Sequence, residues 1–214
     1  MFFRATIFLF FTTSIFWGTT AHAKQDSLQL AVRNEKIVSQ TDSLIKYYNA
    51  TVTDTFVLVN IEQQQMLLVS NNLILKTYLI STSKEGVGAE KNSNKTPLGV
   101  HRIKNKIGHK AAIGTVFFNT LPSRQVAKIY TDTTDTPKDH IITRIMWLDG
   151  QEPGKNKGDG IDSYERCIYI HGTHEEGLLG RPVSMGCIRM KNIDIVELFN
   201  LVKEGTLVSI LAEL

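Results

Sequence analysis

From Thr55 onward the chain alternates short apolar runs with polar punctuation. "TFVLVNI", "QMLLVS" and "LILKTYLIST" are rich in β-branched and aromatic residues, and each is short enough for a strand. Asn71 and Asn72 separate the second run from the third. Asparagine tolerates positive φ, so this pair predicts a two-residue hairpin turn. "TPLGVHRI", "IITRIMWL" and "RCIYIHG" add further strands, and "TLVSIL" adds a closing one. One late segment changes period: "NIDIVELFNLVKEG" places Ile195, Phe199 and Val202 on one helical face. Asn192 is its expected N-cap, Asp194 lies in its first turn, and Gly205 is its expected stop. Residues 24–50 carry Leu28, Val32, Ile37, Leu44, Ile45 and Tyr48 among polar neighbours, which predicts one or two short amphipathic helices. Many short strands with few helices predict a mainly β barrel or sandwich.

The first residues follow another pattern. Arg4 precedes nineteen uncharged residues that close on Ala21-His22-Ala23. A basic start, an apolar middle and a small-x-small ending read as a secretory signal peptide over residues 1–23. A retained membrane anchor is the other reading, since a span needs about 20 apolar residues. Thr12, Thr13, Ser14 and Gly18 dilute the stretch and favour cleavage. Lys24 would begin the mature chain, and because it is not a cysteine a lipoprotein is not expected. The organisation then reads as a signal peptide at 1–23, a helical extension at 24–50 and one domain at 51–214.

Charge changes the picture little. The formal net charge of +3 becomes +2 once Arg4 is removed. There are no blocks of lysine and arginine with interleaved aromatics, so nucleic acid is not an expected partner. The sequence also lacks the clustered histidine and cysteine spacings of a zinc site.

The chemistry concentrates in "IYIHGTHEEGLLGRPVSMGCIRM", residues 168–190. A strand over 166–171 would send Ile168 and Ile170 to the core and Cys167, Tyr169 and His171 to the opposite face. Gly186 permits a tight backbone immediately before Cys187. A cysteine nucleophile needs such placement. Its ordinary pKa of about 8.5 leaves little thiolate at neutral pH, so a partner must take the proton, and histidine is the usual one. Backbone N–H groups at a sharp turn can also face a developing oxyanion. Packing roles for the two residues, or a Cys167–Cys187 disulfide, are the alternatives. Along a strand Cys167 would lie about 13 Å from His171 at roughly 3.3 Å per residue. A Cys187 in contact with His171 would then be too far from Cys167 for a bridge, which needs Cα atoms within about 7 Å.

"HGT", followed after a loop by "S-x-G-C-I-R-M", resembles the signature of the L,D-transpeptidase catalytic domain, the YkuD fold. "TPLG" at Thr96–Gly99 and the stretch from "WLDGQEPG" through "GCIRM" extend that resemblance, which covers about residues 53–212. The resemblance implies a β-sandwich or barrel, export to the periplasm of a diderm bacterium, and action on peptidoglycan stem peptides without metal or organic cofactor. It implies that a cysteine attacks the carbonyl of the L-centre, releases D-alanine and passes the acyl group to an amine, giving a 3→3 cross-link. With water as acceptor the same site is an L,D-carboxypeptidase. Some relatives attach an outer-membrane lipoprotein to the wall. By the same resemblance Cys187 is the nucleophile and His171 the general base. Gly172 offers a carbonyl to orient the ring, and the N–H groups of Gly186 and Cys187 are oxyanion candidates. Arg189 either binds a substrate carboxylate or braces the turn. Ser184, Met185 and Tyr169 complete the candidate substrate-binding set, with packing as the alternative for Tyr169.

Met185 departs from the family pattern, which commonly places histidine there. Methionine offers neither a strong hydrogen bond nor a charge near neutral pH. This keeps open a third reading, a non-catalytic peptidoglycan-binding protein. His174 is a nearby candidate to stand in for that histidine, and otherwise reads as a solvated loop residue. "DTTDTPKD", residues 132–139, lacks the glycine and terminal glutamate of an EF-hand loop and reads as a solvated turn. "GQEPGKNKGDG", residues 150–160, lacks the phosphate-loop spacing. It reads as a mobile wall beside the site or as a plain surface loop.

Overall fold

The computed structural model describes residues 17–51 and 54–214, with side chains from residue 31 onward. Most of the expected signal segment lies outside the described residues. The chain divides into two units after Gln40. A single continuous helix, α1 (Trp17–Tyr48), replaces the one or two short helices expected over residues 24–50. Among the described residues no helix is long and apolar enough to cross a membrane.

The unit from Thr41 onward is built on ten strands. In chain order they are β1 (Phe56–Asn60), β2 (Gln65–Ser70), β3 (Leu73–Ser81), β4 (Gly99–Ile107), β5 (Thr115–Phe118), β6 (Leu121–Val126), β7 (Ile142–Gly150), β8 (Tyr169–Gly172), β9 (Ile188–Met190) and β10 (Leu207–Leu211). Helix α2 (Asn192–Leu201) lies between β9 and β10 in the chain. The turn between β2 and β3 is the asparagine pair, with φ of 51° at Asn71 and 59° at Asn72. Both central residues therefore take the left-handed conformation that a two-residue hairpin turn requires.

The strands run in the order β4-β10-β1-β2-β3-β9-β8-β7, and β4 also pairs with β7, so this set closes on itself. The β5–β6 hairpin is appended to β7 through the pair Val116 and Ile142. Closure leaves the continuous apolar runs of β1 and β2 buried on both sides, with every residue of Phe56–Asn60 buried. The main core joins Val57, Val59, Met66 and Leu68 to Met146, Ile170, Ile188, Met190 and Val208. Ile195, Leu198 and Phe199 of α2 join the same core.

Three boundaries differ from the pattern-based expectation. Helix α2 starts at Asn192 itself, preceded by Lys191 as a cap without a side-chain hydrogen bond, and it ends at Leu201 rather than near Gly205. Asn192 is thus the first helical residue, and its side chain is directed elsewhere, as described below. Strand β8 begins at Tyr169 and not at Arg166, because Cys167 sits in a turn with φ of 57°.

Candidate functional site

Strands β8 and β9 are neighbours and run parallel, with Ile170 opposite Ile188 and His171 opposite Arg189. Alternation then sorts their side chains. Ile170, Ile188 and Met190 enter the main core. Tyr169 and His171 on β8, with Cys187 and Arg189 at β9, share the other face. Tyr169 packs there with Phe117 and Ile145, and Cys187 and Trp147 lie against that cluster.

Cys187 immediately precedes β9 and is half-buried. Its Sγ accepts the Tyr169 N–H at 3.4 Å and donates to the Cys167 carbonyl at 3.4 Å. The turn beneath it is stapled by Ser184, whose hydroxyl donates to the Cys187 carbonyl at 2.6 Å and accepts the Gly186 N–H at 3.3 Å. Gly186 has φ of 114°, and a Cβ there would meet the Lys95 and Asn94 carbonyls at 3.2 and 3.3 Å. Thr96 Oγ1 donates to the Gly186 carbonyl at 3.0 Å. The "TPLG" threonine therefore supports the cysteine turn from the loop before β4. Burial pushes the thiol up to about 12. The Tyr169 N–H opposes this shift, and the Asp139 carboxylate reinforces it. The resting cysteine is a neutral thiol.

His171 is buried, 1% exposed. Its Nδ1 lies 2.9 Å from the Gly172 carbonyl, an acceptor only, so Nδ1 carries the proton and Nε2 the lone pair. Nε2 is buried and has no hydrogen-bond partner among the described residues. Burial lowers the pKa of this imidazole, while the Asp139 carboxylate and the Gly172 carbonyl raise it. The ring is neutral at rest. Gly172 has no room for a side chain, since a Cβ would meet Asn192 Oδ1 at 2.6 Å and the Ile142 carbonyl at 2.9 Å.

Arg189 is 4% exposed and fully engaged inside the protein. Its Nε and NH2 reach Asp139 Oδ2 at 3.1 and 2.7 Å, and NH1 reaches Glu175 Oε2 at 2.8 Å. These contacts fasten the 132–139 run and the loop after His171 to β9. Glu175 Oε1 in turn accepts the Thr136 N–H at 2.7 Å, and the Thr136 hydroxyl lies 2.7 Å from His174 Nε2. Asn192, at the start of α2, donates to the Thr173 carbonyl and to Glu176 Oε1, both at 2.7 Å, and accepts from Thr143 Oγ1. These bonds pin the loop that follows His171.

The model of the L,D-transpeptidase catalytic domain, YkuD, matches residues 54–210. The chain belongs to the L,D-transpeptidase family. It is 41% identical over 86 residues to a Bacillus subtilis protein named as L,D-transpeptidase YkuD, a match covering 40% of this chain and 49% of that one. It is 27% identical over 157 residues to the B. subtilis protein named as L,D-transpeptidase YqjB, covering 73% of this chain and 71% of the relative. The YkuD match thus spans about half of that relative's length. Among solved structures, the catalytic domain of an E. faecium L,D-transpeptidase acylated by ertapenem aligns with TM-score 0.44 and 20% identity, covering 76% of this chain and all of that one. An L,D-transpeptidase from Mycobacterium smegmatis aligns with TM-score 0.44 and 14% identity, covering 74% and 59%.

Within this family member the structure places several of the residues read from sequence differently from expectation. Ser184, Arg189 and Tyr169, grouped as substrate-binding, are buried and committed to internal contacts, whereas Met185 is 50% exposed. The Gly186 N–H is taken by Ser184, so of the two oxyanion candidates it is already occupied. Cys167 does not lie far along a strand from Cys187. The chain turns at Cys167 and sets its carbonyl against Cys187, yet both cysteines are free. His174 is 3% exposed and not solvated. The 150–160 loop is fastened rather than mobile: the fully buried Asn156 donates to the Leu98 and Val100 carbonyls at 3.0 and 3.1 Å. The 132–139 run is mostly solvated, Pro137 and Lys138 included, but Thr136 and Asp139 turn inward to Glu175 and Arg189. Asp139, Glu175 and Asn192 were not singled out as site residues from sequence. A carboxylate followed by a histidine pair partner in space leaves no fixed interval to read.

Proposed function

We propose that this protein is a peptidoglycan L,D-transpeptidase that works through Cys187 and His171. The observation that carries the reading is the unpartnered lone pair on His171 Nε2, buried on the strand face that also bears Cys187. A buried acceptor left without a donor is costly, so its retention marks a group waiting for a proton. In the resting state the thiol hydrogen is spent on the Cys167 carbonyl. Redirected to Nε2, it leaves a thiolate beside an imidazolium whose Nδ1–H is held by Gly172.

The thiolate attacks the carbonyl between the L-centre and the D-residue of a stem tetrapeptide. The C–N bond then breaks, His171 returns its proton to the departing D-alanine amine, and a thioester remains on Cys187. An amine of a second stem attacks that thioester and restores the free thiol, leaving a 3→3 cross-link. The Ser184 bonds hold the turn so that the thiol keeps one height above β9. The exposed side chain of Met185 borders the approach and offers a flexible apolar wall. Export by a cleaved leader at residues 1–23 would bring the domain to periplasmic peptidoglycan, with stem amines or an outer-membrane lipoprotein as acceptor.

Incubation with purified disaccharide-tetrapeptides, read by mass spectrometry, tests the reading. Cross-linked dimers accompanied by D-alanine release are expected. Tripeptide products alone would make the enzyme a carboxypeptidase. Unchanged substrate would leave only a wall-binding role.

A further inference from the structure

Asp139 lies in the loop between β6 and β7, outside the signature that carries the cysteine and the histidine. Its carboxylate is turned inward, with the side chain 10% exposed. One oxygen, Oδ2, is clamped by Nε and NH2 of Arg189. The other, Oδ1, is buried and has no hydrogen-bond partner among the described residues. Arg189 stands directly opposite His171 in the parallel register of β8 and β9, with their side chains on one face. The clamp therefore brings Asp139 over the face that holds His171 and Cys187. Among the described residues, Asp139 Oδ1 and His171 Nε2 are both buried acceptors without a hydrogen-bond partner. Each can be satisfied only by a donor, so this side of the site gains from the arrival of a proton.

Resting on the proposed thiol chemistry, we infer that Asp139 is a positioning residue for the Cys187–His171 pair, setting the charge balance of the proton transfer from Sγ to Nε2. The S–H bond of Cys187 breaks and an N–H bond forms at His171, so a neutral pair becomes a thiolate and an imidazolium. The Asp139 carboxylate stabilises the imidazolium and disfavours the thiolate until His171 is charged. Electrostatics follow that geometry: Asp139 is the largest charge acting to raise His171, and it also raises Cys187. The other groups facing His171 are Arg189 on β9 and His174 in the following loop, both of which lower it. Glu175 engages the far side of the Arg189 guanidinium, and the His140 ring packs on His174 at 4.9 Å. Asp139 is thus the carboxylate placed to favour proton uptake, and Arg189 keeps it in place.

The test is the pH profile of Cys187 alkylation by iodoacetamide in the whole protein, for Asp139→Asn, Asp139→Glu, the exposed-loop control Asp135→Asn and His171→Gln. Cys167→Ser serves as background, so that one thiol reports. Asp139→Asn is expected to slow alkylation near pH 7 about ten-fold, a fraction of a full acid–base contribution. It should also move the acid and alkaline limbs of the profile to lower pH, because imidazolium loses support and thiolate loses repulsion. Asp139→Glu should restore most of the rate, and Asp135→Asn should leave the profile in place. A folded Asp139→Asn protein with unmoved limbs overturns the inference, because a purely structural clamp scales the rate without moving them. If Asp139→Asn does not fold, Asp139→Glu decides: limbs coincident with the parent support the inference and displaced limbs overturn it. Failure of His171→Gln to slow alkylation would instead overturn the proposed base, and this inference with it.

Discussion

The Cys187 thiol gives its hydrogen to the Cys167 carbonyl, so Cys167 contributes backbone and not sulfur. Cys167→Ala should therefore keep most turnover, while Cys187→Ala should abolish any acyl-enzyme adduct with a tetrapeptide donor, as read by intact mass. Met185 is a different case. Its side chain is half exposed, and surface changes of this kind usually stay within about 0.5 kcal/mol. Met185→His should leave the thermal midpoint nearly unchanged and alter the ratio of cross-linking to hydrolysis, because a titratable ring would then border the thioester. Product ratios by mass spectrometry check it, and an unchanged ratio would remove Met185 from the substrate path. Local pattern draws notice to the glycine-bordered Cys187 and to His171 but leaves packing roles open, and it is the resemblance of the surrounding signature that singles them out. Asp139 and Glu175 could not be picked out. Each sits in a polar run, and only the parallel register of β8 and β9 delivers the guanidinium that turns them inward.

Helix α2 is held at both levels, apolar face and polar start. Ile195 is fully buried in the main core, so Ile195→Ala should cost about 2–5 kcal/mol in urea unfolding. Asn192 is 2% exposed and spans Thr143, Thr173 and Glu176. Asn192→Ala strands those partners and should cost roughly 1–3 kcal/mol. It should also loosen the loop after His171, giving faster amide exchange at Thr173–Glu176 that Ile195→Ala does not match at equal loss of stability. The strands were legible because short runs of β-branched and aromatic residues and the Asn71-Asn72 turn carry local signals. The helix boundary was not. Asparagine favours a cap in isolation, and here three tertiary hydrogen bonds outweigh that preference. Strand β8 was overextended for a related reason, since nothing local announces that Cys167 takes a left-handed backbone.

At the scale of the molecule, buried histidines set the response to acid. His101 is fully buried between the Gly99 carbonyl and the Ser163 hydroxyl, and burial lowers its pKa to about 4. The unfolded chain binds that proton near pH 6.5. Above pH 6.5 the group is neutral in both states and has no effect. Between pH 6.5 and 4 only the unfolded state is protonated, so stability falls as pH falls, by roughly 3 kcal/mol from this residue. His171 and His174 are lowered by burial as well and act in the same direction. Urea unfolding from pH 7 to pH 4.5 should show the decline, and His101→Gln should flatten it. The closed strand ring has its own consequence, for the order in which the chain is completed. β10 follows every other element in the sequence, yet it lies between β1 and β4, parallel to the first and antiparallel to the second. During synthesis two open strand edges must therefore wait for a segment beginning at Leu207. Until then the nascent domain has unpaired backbone on both sides of the gap and invites pairing with other chains. A ribosome or a holding chaperone that keeps these strands apart guards the one interval in which the domain cannot protect itself.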